Sequence, residues 1–107
     1  MMKVTVYKDA EGTYGFQVSG HSGYAESGSD IVCSAVSALT TNTVNSIEAF
    51  TDDKVKNLAV NEEEGFLHYE LETVSDASRL LLDSLVLGLE SIEESYGQFL
   101  EIRLEED

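Results

Sequence analysis

Basic residues are scarce in this sequence. Six Lys and Arg stand against 21 Asp and Glu, a formal net charge of −15 over 107 residues. Such a surface repels phosphate backbones, so nucleic acid is excluded as the expected partner. Anionic membranes are excluded on the same ground. A basic partner is attracted instead, and its encounter is faster at low salt. Solubility alone is the commoner reason for an acidic surface, so charge narrows the partner list without naming a partner.

Cysteine is nearly absent too. Cys33 stands alone, so no intrachain disulfide can form and a disulfide-stapled secreted scaffold is excluded. No stretch reaches the ~20 apolar residues that a membrane span needs. The opening run Met1-Met2-Lys3-Val4-Thr5-Val6 alternates like a strand and lacks the apolar core of a signal peptide. Cytoplasm is therefore the expected compartment. No proline-rich, glycine-serine-rich or single-charge run is long enough to be a linker, and no internal repeat is present. Residues 1–107 are expected to form a single domain around a single core.

What is present reads as a regular alternation of elements. Val4 and Val6, then Tyr14, Phe16 and Val18, carry strand periodicity on either side of turn residues Asp9 to Gly12, which predicts a hairpin. A glycine- and serine-rich loop follows from Gly20 to Asp30. Asp30 is a suitable N-cap for a helix that starts just after it. Val32, Val36, Leu39, Ile47 and Phe50 form the apolar stripe of that helix, with Thr43 at the same spacing. A second hairpin is expected from Val55 to Val60 and Phe66 to Leu71, turning at Glu62 to Gly65, with Leu67, Tyr69 and Leu71 facing the core. Asp76 to Tyr96 reads as a second helix, capped by Ser75, striped by Leu81, Leu85, Leu89 and Ile92, and stopped at Gly97. Leu100, Ile102 and Leu104 alternate in a last strand. The order ββαββαβ predicts an α+β two-layer sandwich, a mostly antiparallel sheet with two helices on one face.

The run from Ile31 to Ile47 holds no charged residue, although a quarter of the chain is charged. A surface helix normally shows a charged outer face. Either a twofold partner covers this helix, or the helix is sandwiched within its own fold, or its Ser/Thr-rich face is simply wet.

Cys33 falls three residues after the expected cap, in the first turn, where backbone N–H groups are unpaired and the helix dipole is positive. That position favours the thiolate, the form that attacks a carbonyl. His21 lies at the other end of the glycine-rich loop, which can fold back and bring the imidazole to the sulfur. The plainer reading makes Cys33 a small buried hydrophobe and His21 a turn residue. A phosphate cradle lacks the P-loop lysine. A metal site of His21, Glu26, Asp30 and Cys33 lacks paired ligand spacing. His68, in a strand opposite the core-facing residues, reads as a surface histidine.

Gly20-His21-Ser22-Gly23-Tyr24-Ala25, followed by Gly28-Ser29-Asp30-Ile31-Val32-Cys33-Ser34-Ala35-Val36-Ser37-Ala38-Leu39, resembles the signature of the Prp family, the ribosomal-processing cysteine proteases of Firmicutes. Element order and length agree across the whole chain. The resemblance implies an endopeptidase that removes the N-terminal extension of a large-subunit ribosomal protein, cutting after a short apolar motif that ends in an aromatic residue. It implies a homodimer and no cofactor or metal. By position it makes Cys33 the nucleophile and His21 the general acid/base. Asp30 and Ser37 match supporting positions, and Gly20, Gly23 and Gly28 would let the loop open and close over a peptide. The rival readings are a non-catalytic acidic module that binds or chaperones a basic ribosomal protein, and a thiol hydrolase acting on a small acyl substrate.

Overall fold

The computed structural model describes residues 1–20 and 27–107, with side chains in the helix starting at residue 27 described from Ile31 onward. Its elements are β1 (Met2–Asp9), β2 (Gly12–Ser19), α1 (Ser27–Phe50), β3 (Val55–Asn61), β4 (Phe66–Leu71), α2 (Asp76–Tyr96) and β5 (Leu100–Glu106). The five strands make a single sheet in the order β3-β4-β2-β1-β5. Three neighbour pairs are antiparallel, and β1 pairs with β5 in parallel. This is the expected α+β sandwich.

Alternation decides which face each strand buries. Val4 and Val6 of β1, Phe16 and Val18 of β2, and Tyr69 and Leu71 of β4 turn to the helices. They meet Val32, Val36 and Ile47 from α1 and Leu82, Leu85 and Leu89 from α2 in a continuous core. At ~1.5–3 kcal/mol for each large apolar side chain buried, this cluster is what holds the two layers together.

Three expectations are corrected in detail. Tyr14 was expected to continue the inward alternation of Phe16 and Val18. The register shifts so that Tyr7 pairs with Gly15 and Lys8 with Thr13. Tyr14 is the extra residue of this bulge, and buried Thr13 takes the inward place. The freed phenol donates to Asp107 Oδ2 at 2.7 Å. Phe50 was expected on the inward stripe of α1 and is 75% exposed. At 100° per residue, the position four after Ile47 returns closer to the buried face than the position three after it. Thr51 accordingly lies half-buried there, its hydroxyl donating to the Ile47 carbonyl at 2.8 Å. Gly97 follows α2 as expected, but with right-handed φ −61° rather than the left-handed geometry of a glycine stop.

The N-terminus of α2 matches its expected cap. Ser75 accepts from the Ser78 amide at 3.2 Å. Arg79, one turn further on, donates to Asp9 Oδ1 at 3.1 Å and to the Thr13 carbonyl at 3.0 Å, fastening α2 to the β1–β2 turn. Gly15 has a different necessity, because a Cβ there would run into the Tyr69 carbonyl of the adjacent strand β4.

Candidate active site

The chain leaves β2 at Gly20, whose φ of +85° belongs to the left-handed region that favours glycine. A side chain there would also come within 2.7 Å of the Met1 carbonyl. This glycine therefore sets the path by which the chain departs toward α1. His21 and Gly23 lie outside the described residues, and with them the expected approach of imidazole to sulfur.

α1 begins at Ser27, earlier than the sequence suggested. Asp30 is thus not the N-cap but a residue of the first helical turn. Gly28 is part of the helix rather than of the loop. Cys33 becomes the seventh residue of α1, in the second turn. This revises the electrostatic argument, since the dipole effect falls off within the first turn. It also bears on which backbone N–H groups are free to receive an oxyanion. The unpaired N–H groups of a helix are its first four, all upstream of Cys33. The Cys33 amide is inside the helix and belongs to its ladder. The helix began early because Ser27-Gly28-Ser29 carries no residue that forbids helical backbone. Glycine costs a helix only about 1 kcal/mol relative to alanine, too little to forbid it there.

Cys33 is partly buried and opens onto a groove of about 620 Å³ between α1 and the β3–β4 hairpin. Along α1 the groove is walled by Cys33, Val36, Ser37, Thr40, Thr41 and Val44, residues three or four apart that share a helix face. Leu58, Val60, Phe66 and Leu67 border it from the hairpin, with Met2 and Val18 at its base. Ser37, one turn after Cys33, shares its wall as expected. Thr40 contributes no free hydroxyl, because its Oγ1 donates to the Val36 carbonyl at 2.8 Å. The lining is thus mainly apolar, with Glu62 and Glu63 bordering it at the hairpin turn.

His68 is removed from this chemistry. It pairs in register with Gln17, beside Leu67 and Val18, which pair with each other and line the groove. Alternate residues of a strand face opposite sides of the sheet, so His68 points away from Cys33. Its ring nitrogens lie 2.9 Å from Gln17 Oε1 and 2.9 Å from Glu70 Oε1.

Sequence reasoning missed the far wall of the groove. By sequence alone, Val55 to Val60 reads as an ordinary hairpin arm. The whole of β3 is exposed, and Leu58 and Val60 face the groove rather than a covered core. Their alternation was visible, but the same pattern marks core-facing strands.

Known proteins resemble this chain over nearly its whole length. The sequence matches the family of the cysteine protease Prp over residues 1–101. It is 27% identical over 108 residues to the ribosomal processing cysteine protease Prp of Bacillus subtilis, covering 95% of this chain and 96% of that one. The fold superimposes on a crystal structure of the essential ribosomal processing protease Prp of S. aureus with a substrate peptide. That match has a TM-score of 0.89 and 25% identity, and covers 98% of this chain and 100% of the other. A structure of the S. aureus protease with a covalently linked product peptide gives a TM-score of 0.87 and 26% identity, with the same coverage. On the match of residues 1–101, with Cys33 placed on an apolar groove, this chain belongs to the cysteine protease Prp family.

Proposed function

We propose that this protein is the endopeptidase that removes the N-terminal extension of a large-subunit ribosomal protein in the cytoplasm, acting as a homodimer without cofactor or metal. The observation that carries this reading is the position of Cys33 on a mainly apolar groove of about 620 Å³. An extended peptide fits such a groove, and a carbonyl lying in it is within reach of the sulfur.

The proposed steps follow from the residues present. The Cys33 thiolate adds to the scissile carbonyl carbon. Donors near the first turn of α1 receive the oxyanion. His21, as imidazolium, gives its proton to the leaving amine, and a thioester links Cys33 to the released extension. Neutral His21 then takes a proton from water, the hydroxide adds to the thioester, and the sulfur leaves as thiolate. Ser37, one turn from Cys33, supports the sulfur. Asp30 supports the N-terminal turn of α1 as an acidic residue at the positive end of the dipole. Gly20 and Gly23 let the connecting segment adjust to the peptide, whereas Gly28, a residue of α1, does not serve as a hinge.

The net charge of −15 supports a basic substrate, and also the rival of a binding module without turnover. Incubation with an extension-bearing ribosomal protein, followed by mass spectrometry, separates them. A new N-terminus after the apolar-aromatic motif is expected. Intact substrate that stays bound would favour the module.

A further inference from the structure

We propose that the open edge of β3 is a docking strand. An extended peptide with apolar side chains at alternate positions pairs with the β3 backbone and lays those side chains into the groove beside Cys33. This rests on the protease reading of the same groove and adds how the substrate is held.

β3 is the last strand of the sheet on its side, so among the described residues no strand lies beside one edge of its backbone. Edges of this kind are ordinarily guarded by charge, proline, irregularity or a covering element. Lys54, Lys56 and the irregular register between Val55 and Asn57 guard the beginning of β3. From Asn57 to Asn61 no charged residue follows, and Leu58 and Val60 are 53% and 59% exposed. These two pair in register with Tyr69 and Leu67, so they lie on the helix side of the sheet, where they border the groove. An unguarded edge beside an apolar groove is what β-augmentation requires. Main-chain hydrogen bonds supply affinity, and alternate side chains supply specificity.

The registers also give a direction. Val60 pairs with Leu67 and Leu67 with Val18, near the end of β2 from which the chain leaves toward α1. The Val60 end of β3 is therefore the Cys33 end of the groove. Glu62 and Glu63 border that end, whereas Lys54 and Lys56 stand in the chain at the start of β3, Lys56 lining a separate recess with Tyr14 and Asp107. A peptide that is apolar ahead of the bond to be cut, and basic after it, complements this order. It runs from the Val55 end to the Asn61 end, parallel to β3. An antiparallel second copy of β3 would match the same charges, but only the peptide uses the wall that β3 shares with Cys33.

The test uses the full chain carrying Cys33→Ala, which holds a peptide without turnover. The probe is a synthetic peptide with leucines at alternate positions, an aromatic residue, and lysines after it. Amide hydrogen exchange of β3 is followed by NMR with and without the probe. Alternate amides between Asn57 and Asn61 are expected to slow severalfold on binding, and N-methylation of the probe is expected to weaken it at every second position. Binding that leaves the β3 amides unchanged overturns the proposal, as does failure to bind. Slow β3 amides in the free protein that depend on its concentration assign the edge to a second copy and overturn it as well. In the otherwise wild-type enzyme, Val60→Asp is expected to raise KM with kcat held. Cleavage of the probe by the wild-type chain is scored separately, so a failure of the protease reading is distinguishable from a failure of the docking strand.

Discussion

Ser75 Oγ donates to Asp53 Oδ2 at 2.7 Å, and the same oxygen accepts from the Ser75 amide at 2.8 Å and from the buried Ser78 hydroxyl. A single carboxylate thus ties the segment after α1 to the N-cap of α2. Burial pushes the Asp53 carboxyl up, but the hydrogen bonds from Ser78 and Ser75 outweigh it and leave it below the usual carboxylate range. A lowered folded-state value adds stability above the unfolded value of about 4, and that stability is lost as pH falls through the folded value. Asp53→Ala is expected to cost about 1–3 kcal/mol at neutral pH. Urea unfolding of both proteins checks this, and the gap between them should narrow in acid. An equal gap at both pH values would assign the effect to packing rather than to the carboxylate.

Cys33→Ala should abolish cleavage while the thermal transition stays close to wild type, because the residue is only partly buried. His21→Ala should lower the chemical step by about 10²–10⁴ with less change in KM. His68→Gln is the matched control, and its position on the other face of the sheet predicts near-normal turnover. Single-turnover rates followed by mass spectrometry distinguish these outcomes. Normal activity in His21→Ala would assign the base elsewhere.

The uncharged run of α1 motivates a test of assembly. Thr40 is only 2% exposed and belongs to the core of the single chain, so a charge there would perturb the fold itself. Asn42 is exposed on α1 and is the better probe. If a twofold partner covers this face, Asn42→Lys should shift sedimentation toward the monomer without lowering the unfolding transition measured on dilute protein. A wild-type monomer at micromolar concentration would leave the face to solvent.

The charge of −15 should steer a basic substrate, raising the association rate rather than the chemical rate. Exposed charges are screened over about 8 Å at physiological ionic strength. For a full-length basic substrate, kcat/KM should therefore fall as salt rises, with kcat nearly constant. A short neutral peptide with the same cleavage motif should show a weaker slope. Equal slopes would assign the acidic surface to solubility alone.

Element order and core were legible in the sequence because their periodicities are local. Val4, Val6, Phe16 and Val18 alternate, Val32, Val36 and Ile47 recur at helical spacing, and Ser75 caps a helix whose Leu82, Leu85 and Leu89 recur on one buried face. The family was legible as well, because Cys33, the single thiol and the proposed nucleophile, sits in a contiguous run that resembles the family's signature. The start of α1 was not. Glycine and serine permit both loop and helix, so propensity alone does not fix the boundary. Tyr14 was misplaced for a similar reason, since a bulge adds a residue to one strand only where the partner's register demands it. The groove belongs wholly to the tertiary structure. Leu58 and Val60 carry the pattern of a buried strand, and only the assembled sheet makes β3 an edge strand that is exposed throughout. Local sequence thus specified which residues are apolar and at what period. Which apolar face is covered and which is left open for a ligand depends on which elements become neighbours, a property of the assembled layers.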